Sequence, residues 1–363
     1  MTYIGDKHYR HGSVESTGVL VVNLGTPSAP TPSAVRRYLA EFLSDPRVVE
    51  IPRPLWWLIL HLLVLPFRPR KSAEAYAKIW LPEGSPLLVH SERLSLRVSQ
   101  SLQDEQPNLI LRFAMRYGQP SIKEALNEMR EKSVRRLLIL PLFPQYSATT
   151  TASVFDKVAQ ILSTWRWQPE IRYINHYHKH PLYISACAEQ ISKFRSRHGS
   201  GDILMFSFHG LPKRNLIEGD PYHCQCYTTA RLIAQALSLK DHEYKLCFQS
   251  RFGRAEWLQP YTEQTLRELA EQGMRTVDVF CPGFSVDCLE TLEEIAMRGG
   301  DVFKQAGGLH LRYISALNDS QSHIACIKDL ILKNITGWGI EDMEDAQSRQ
   351  RARESALSMG AWQ

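Results

Sequence analysis

The chain repeats itself, and this duplication limits the possible folds more than any other feature of the sequence. The segment 125–140 (ALNEMREKSVRRLLIL) recurs at 265–280 (TLRELAEQGMRTVDVF) at a constant offset of 140 residues. Nearer the amino terminus, 18–27 (GVLVVNLGTP) resembles 202–212 (DILMFSFHGLP). The sequence therefore predicts two similar halves, one built on each copy.

A third pair of segments locates an insertion. The segment 113–118 (FAMRYG) resembles 248–253 (FQSRFG) at an offset of 135, so we expect five extra residues within 254–264. A basic stretch containing Gly and Ser at 195–202 (RSRHGSGD) has the composition of a linker.

Each half shows the pattern of a parallel sheet. Short β-rich apolar runs alternate with helical periodicity, which predicts α/β, doubly wound sheets of four parallel strands. The strands are predicted near 18–23, 109–114, 136–141 and 170–175, and near 203–208, 244–249, 276–281 and 310–314. The predicted domains are 17–195, 202–335 and a C-terminal tail at 336–363. The two halves are expected to face each other across a cleft.

The two halves carry different kinds of side chain at the ends of their corresponding strands. The C-terminal half places His209 at the end of its first strand, and Glu290 and Glu294 where a later loop turns into a helix. The N-terminal half offers Leu24 and Ser147 at the corresponding places. Ligands of open α/β sheets bind at the carboxyl ends of the strands, where a histidine and carboxylates can move protons or bind a divalent metal. The alternatives are a histidine that caps its strand and a solvated acidic helix start.

Further polar residues follow strand ends and are expected to line the cleft. Arg116, Tyr117, Arg251 and Trp257 belong to this group, and an arginine there can grip a carboxylate with two hydrogen bonds. The segment 144–151 (PQYSATTT), which contains Tyr146 and Ser147, can supply neutral hydrogen bonds.

Two other clusters resemble metal sites less closely. His176, His178 and His180 alternate after a strand, but polar loops often show this pattern. Cys224 and Cys226 lack the second close cysteine pair that would complete a zinc or iron–sulfur site. The seven cysteines are odd in number and irregularly spaced, and the polar N-terminus has no signal-peptide core, so we expect a reduced, cytoplasmic location.

Charge and motifs argue against nucleic-acid binding and nucleotide binding. The net charge of +5 is not gathered in long runs, which disfavours nucleic acid as a partner. The glycines after the first strand form neither a dinucleotide fingerprint nor a P-loop, which disfavours nucleotides.

An apolar segment at 55–67 (LWWLILHLLVLPF) stands out within the stretch 52–70. As a helix it would reach about 20 Å, short of the ~30 Å hydrocarbon core of a bilayer. It has tryptophans at one end, and Arg68, Arg70 and Lys71 follow it. A buried core helix and an exposed lip that touches lipid or an apolar ligand both fit this pattern. The second interpretation adds peripheral contact with the inner face of a membrane.

The motifs together closely resemble those of the ferrochelatases over nearly all of 17–335. The resemblance is carried by GVLVVNLGTP, FLSDPRVVEIPRP, MRYGQPS, PLFPQYSATTT, SFHGLP, GDPYHCQCYTT, QSRFGRAEWLQP and CPGFSVDCLETLEE. It implies a chelatase fold of two Rossmann-like halves around a porphyrin cleft, and the insertion of ferrous iron, as substrate, into protoporphyrin IX.

The resemblance also implies roles for individual residues. His209 matches the family's histidine in S-x-H-x-L-P, Glu290 its active-site glutamate, and Glu294 the next acid on that helix. His209 and Glu290 are then the expected metal contacts. Leu24 lies where protoporphyrin-type members have an apolar residue, and 55–67 lies where the family has its membrane-facing lip.

Two departures from the family pattern limit what transfers. Cys288 replaces the histidine of animal members, so no imidazole role is expected there. No cysteine follows Cys326, whereas animal-type members carry most cluster cysteines in a C-terminal tail, so no iron–sulfur cluster is expected.

Two other functions remain open from the residues alone. A porphyrin or haem carrier would use the same cleft but has no need for two carboxylates. A chelatase for another tetrapyrrole, such as a cobalt enzyme acting on a more acidic ring, would need them.

Overall fold

The computed structural model describes residues 2–6, 9–253, 255–338 and 346–362. Within these ranges the strands form two four-stranded sheets, ordered β2-β1-β3-β4 and β6-β5-β7-β8, in which every pairing is parallel. The first comprises β1 (Ser16–Gly25), β2 (Leu109–Tyr117), β3 (Val134–Pro141) and β4 (Glu170–Tyr173). The second comprises β5 (Ile203–His209), β6 (Tyr244–Gln249), β7 (Thr276–Phe280) and β8 (His310–Ile314). The predicted fold class is confirmed.

Helices cover the sheets and form the rim of the cleft. In the first half they are α1 (Pro32–Leu43), α2 (Arg53–Ile59), α3 (Leu65–Ile79), α4 (Pro86–Leu102), α5 (Ile122–Glu131), α6 (Ser153–Leu162) and α7 (Pro181–His198). In the second half they are α8 (Lys213–Ile217), α9 (Tyr222–Ala236), α10 (Thr262–Glu271), α11 (Gly300–Gln305) and α12 (Gln321–Ile335), and the C-terminal tail contains α13 (Ala346–Ser358). Segments Leu60–Val64, Ala148–Ala152 and Glu290–Gly299 are π-helical, and Asp241–Glu243 is a short 3₁₀ helix.

The apolar runs become central strands because helices cover both faces of each sheet. Val19 to Val22 in β1 and Ile203 to Phe208 in β5 are buried without alternation. Such continuous burial is typical of parallel sheets between two helix layers. Helix starts follow local chemistry: Ser121 and Glu124 form a reciprocal capping box at α5.

The structure corrects the length of the insertion. At the end of β2 the amide of Met115 donates to the carbonyl of Pro120, five residues later, at 2.6 Å. At the end of β6 the amide of Phe248 donates to Pro260, twelve residues later, at 2.8 Å. Met115 therefore corresponds to Phe248, and the loop after β6 is longer by seven residues, not five. The prediction was wrong because its alignment matched the aromatic residues of the two segments rather than their sheet positions.

The corrected register brings two site residues into correspondence. Asn23 pairs with Met115 in the first sheet, and Phe208 pairs with Phe248 in the second. The next residue along each first strand is Leu24 in one half and His209 in the other. By the same register, Arg116 and Tyr117 correspond to Gln249 and Ser250.

The last helix of each half packs on the other half. Arg195 of α7 forms an ion pair with buried Asp278 of β7, while Lys328 of α12 donates to the carbonyl of Ser101 in α4. One continuous apolar core contains residues of both sheets, such as Leu138 and Phe206. The predicted boundary near 195–202 therefore divides the chain but not the packing, because α7 already lies against the second sheet.

Candidate active site

A cleft of about 2010 Å³ opens at the carboxyl ends of the strands of both sheets. Ligand pockets for drug-sized molecules measure about 300–1,000 Å³, so this cleft suits a larger ligand. Its lining contains His209, Glu290 and Glu294 from the second half, and Leu24 and Ser147 from the first. The structure thus brings together residues that are far apart in the sequence.

His209, the last residue of β5, is held by a hydrogen bond to the backbone. Its Nδ1 lies 2.7 Å from the carbonyl oxygen of Gly210. Because a carbonyl oxygen only accepts hydrogen bonds, Nδ1 is the donor in this bond, and Nε2 is the ring nitrogen at which a proton can be gained or lost. The backbone bond predicted for a capping histidine is present, but it leaves Nε2 able to take a proton.

Glu290 is the first residue of the π-helix Glu290–Gly299, a rare conformation that is frequent at functional sites. It lies among groups that stay protonated. Burial, with the adjacent Glu290 charge as a further cause, raises the pKa of the Cys288 thiol. Burial also raises the pKa of Tyr38, and the charges of Tyr76 and Glu290 add to this.

Glu294 lies one turn further along the same π-helix. Its two carboxylate oxygens accept hydrogen bonds from Ser250, from the amide at 2.8 Å and from the hydroxyl at 2.6 Å. Burial raises the pKa of Glu294, whereas the bonds from Ser250 and the charges of His209 and Arg298 act in the opposite direction. Glu293 pairs with Lys78 of α3 at 3.4 Å and with Arg298 at 3.6 Å. Of the two predicted carboxylates, Glu290 and Glu294, it is Glu294 whose orientation is fixed by two hydrogen-bond donors.

On the first half, Leu24 packs against the apolar cluster that contains Tyr38 and Tyr76, and both tyrosines line the cleft. The amide of Leu24 donates to the side-chain oxygen of Asn23 at 2.8 Å, which fixes the strand end. Ser147 lines the cleft, but its hydroxyl donates to Asp220 at 3.1 Å and so links the two halves. Trp257 lies against the turn after His209, where a Cβ on Gly210 would come within 3.2 Å of the indole.

Comparison with known proteins identifies the family of this chain. The sequence model of the family described as Ferrochelatase matches residues 16–335. The curated ferrochelatase of Nitrosococcus oceani is 52% identical over 100% of both chains, and that of Thioalkalivibrio sulfidiphilus is 51% identical over 99% of this chain and 100% of its own. The chain belongs to the ferrochelatase family. The resemblance drawn from the sequence motifs is confirmed, and with it the activity of a metal chelatase that inserts ferrous iron into protoporphyrin.

Solved structures of chelatases share the fold of this ferrochelatase. SirB from Bacillus subtilis with Fe³⁺ superposes with a TM-score of 0.50 at 12% identity, covering 89% of this chain and 97% of its own. The sirohydrochlorin chelatase SirB from Bacillus subtilis subspecies spizizenii, in complex with cobalt, gives 0.52 at 10% identity, with coverages of 88% and 95%. At these identities the likeness concerns the fold alone.

The structure does not place Arg116 and Tyr117 of this ferrochelatase in the cleft lining. Arg116 forms a buried ion pair with Asp45, and its Nε donates to Ser153. The hydroxyl of Tyr117 donates to the same Asp45 carboxylate at 2.8 Å. The prediction that both line the cleft is therefore wrong, because their side chains bind Asp45 and Ser153 inside the protein.

Tyr146 is not part of the cleft lining either. It is half-buried beside Asp220, Arg47 and Asp156, and its amide donates to Gln225 at 2.7 Å. The preceding residue, Gln145, lines the cleft instead.

The segment 55–67 is buried on one face and exposed on the other. Trp56, Leu60 and Leu65 are buried, and the indole of Trp56 donates to the carbonyl of Leu43 at 2.6 Å. The other face is exposed and apolar, and consists of Leu55, Trp57, Leu58, Leu62, Leu63 and Phe67. No helix among the described residues is both long enough and apolar enough to cross a bilayer.

The histidines and the cysteines have separate surroundings, although the ring centroids of His176 and His178 lie 4.8 Å apart. His180 pairs with Asp329 at 3.0 Å, whereas burial lowers the pKa of His178 to about 4 and keeps that ring neutral. Cys224 is exposed and Cys226 is buried, because residues two apart on a helix face different sides. Across the described residues, no three His, Cys, Asp or Glu side chains are grouped to hold a metal ion.

Sequence reasoning missed Gln249, Ser250, Tyr38 and Tyr76, all of which line the cleft or support its acids. Gln249 and Ser250 end β6, so the strand-end rule would have found them had the insertion been placed correctly. The two tyrosines lie on helices and gave no comparable signal.

Proposed function

We propose that the cleft inserts ferrous iron into protoporphyrin IX to give protohaem, the terminal step of haem synthesis. The observation that carries this proposal is that equivalent positions of the two halves line one cleft: Leu24 lies at the carboxyl end of β1, and His209 is the last residue of β5. A flat apolar macrocycle between these walls would have an apolar contact on one face and a base with carboxylates on the other.

The reaction needs an acceptor for both pyrrole N–H protons as Fe²⁺ replaces them. Nε2 of His209 is the group best suited to take the first proton, because an imidazole works near neutral pH. Glu290, the first residue of the π-helix, would contact the incoming ion or receive the proton. Glu294, held by Ser250, would stabilise the resulting imidazolium by its charge.

The rim of the cleft fits the rest of the substrate. Arg68 and Lys71 of α3 belong to the lining and offer positive charge for the two propionates. Leu63 and Phe67 border the same opening and offer apolar surface for the vinyl edge. Contacts remote from the reacting nitrogens can also supply the energy that puckers the ring.

The exposed face of 55–67 supports a further proposal, peripheral contact with a membrane surface. An exposed apolar face next to basic residues is typical of segments that lie at a lipid interface. Because Leu63 and Phe67 are both on this face and at the cleft, an apolar product could leave directly toward lipid. The location on the inner face of a cytoplasmic membrane belongs to the same proposal.

One spectroscopic experiment tests the function. Protein, protoporphyrin IX and anaerobic Fe(II) are mixed, and the absorbance of haem is followed with protein far below porphyrin. Repeated turnover supports iron insertion. Haem or porphyrin bound in equal amount to protein without turnover would select the carrier, and activity confined to cobalt with a more acidic ring would select another tetrapyrrole chelatase.

A further inference from the structure

The end of β6 holds the π-helix that carries both acids. Gln249 is the last residue of β6 and is buried, and Ser250 follows it. The side chain of Gln249 donates to the carbonyl oxygen of Glu290 at 2.9 Å. Ser250 donates through both its amide and its hydroxyl to the carboxylate of Glu294. Two adjacent residues therefore reach the two acids of the site.

Gln249 also reaches the strand of His209. Its side-chain oxygen accepts from the hydroxyl of Ser207 at 2.9 Å, and its main-chain carbonyl accepts from the amide of Gly210 at 2.8 Å. Ser207 and Gly210 lie on either side of His209 in the chain. The side chain of Gln249 thus ties Ser207 of β5 to the first residue of the π-helix, while its main chain binds the turn after His209.

The backbone of Ser250 adopts an unusual conformation for this contact. Its φ is +67°, in the left-handed region that few non-glycine residues occupy. This conformation directs the amide and the hydroxyl to the same carboxylate. Backbone strain of this kind clusters at functional sites, where the surrounding structure maintains it.

The other half shows that this arrangement is specific to the acid-bearing wall. At the corresponding strand end, Arg116 and Tyr117 also donate to a carboxylate, that of Asp45. Asp45 is buried at the base of the rim and does not line the cleft. Arg116 and Tyr117 therefore stabilise the packing of the first half, whereas the corresponding Gln249 and Ser250 line the cleft in the second.

We infer that Gln249 and Ser250 are positioning residues that hold Glu290 and Glu294 in the orientation facing His209, with Ser250 fixing the carboxylate of Glu294. This inference rests on the proposed function. It extends that function by naming two residues that act on the reaction through the acids rather than by touching the porphyrin.

The variant Ser250→Gly tests the inference, because glycine adopts a positive φ freely and lacks the hydroxymethyl group that binds Glu294. Ser250→Ala removes the same hydroxyl but keeps the strained φ. Loss of a charge-assisted hydrogen bond predicts that kcat falls about 10-fold to 100-fold in both, with KM for protoporphyrin IX within about twofold. The matched control is Ser238→Gly, a serine with φ of +57° that is exposed and outside the cleft lining, for which kcat stays unchanged.

A double-mutant cycle separates positioning from general damage. In a Glu294→Gln background, Ser250→Gly should lower kcat by less than about twofold, since its target charge is gone. Undiminished effects in that background, an unchanged kcat in Ser250→Gly, or a raised KM with unchanged kcat would each overturn the inference alone. A wild-type protein that does not insert iron would overturn the proposed function, and this inference with it.

Discussion

The placement of Arg116 predicts that replacing it harms stability rather than porphyrin binding. The side chains of Arg116 and Asp45 are 11% and 4% exposed, so their ion pair is buried. Removing one partner of such a pair typically costs about 3–5 kcal/mol. In Arg116→Met, Asp45 would still accept hydrogen bonds from Tyr117, Ser153 and the amide of Arg47. We therefore expect the free energy of unfolding to fall by about 3 kcal/mol, the lower end of that range.

The assay is urea unfolding followed by tryptophan fluorescence, together with KM for protoporphyrin IX below the unfolding transition. Arg251→Met is the matched control, because Arg251 is an exposed arginine that lines the cleft and stacks on Tyr261 at 4.9 Å. Loss of an exposed cation–π contact costs about 0.5–1 kcal/mol. A normal unfolding midpoint with a severalfold higher KM in Arg116→Met would refute the reasoning and return Arg116 to the porphyrin site.

The same carboxylate makes stability depend on pH. Burial alone would raise the pKa of Asp45, but hydrogen bonds from Ser153 and Tyr117 outweigh it and lower the pKa. The stabilisation is therefore complete above the unfolded value of about 3.9 and is lost as pH falls through the lower folded value. Asp45→Asn should flatten the acid side of the stability profile, and an unchanged profile would contradict this assignment.

The remaining predictions concern the cleft. His209→Ala should lower kcat by about 10²–10⁴ in a folded protein, and retention of more than about a tenth of wild-type kcat would exclude His209 as the principal base. Glu290→Gln should still bind porphyrin in an absorbance titration yet lose metal insertion; equal losses of affinity and turnover would mark Glu290 as a binding residue. In lipid, kcat/KM should favour protoporphyrin IX over coproporphyrin III, because extra propionates would meet apolar Leu24 and Leu63 unpaired. Equal activity on both would reject that apolar wall.

The sequence alone determined the two sheets and the location of the candidate reacting groups. Burial on both faces requires continuous apolar runs, so the strands could be read from residue type. The carboxyl ends of parallel strands meet at one edge, so His209 and Glu290 could be placed together before any coordinates were known. The family motifs named the chemistry on the same residues.

Tertiary structure alone decided which polar groups remain free for that chemistry. Arg116 lies near the end of β2 and Ser250 follows β6, but Arg116 binds Asp45, 71 residues away, and Ser250 binds Glu294, 44 residues away. Periodicity records whether a position is buried, not which distant partner its side chain will meet. The packing of α7 and α12 on the opposite half was not predicted for the same reason, because the apolar face of a helix indicates that it is buried but not which sheet it covers.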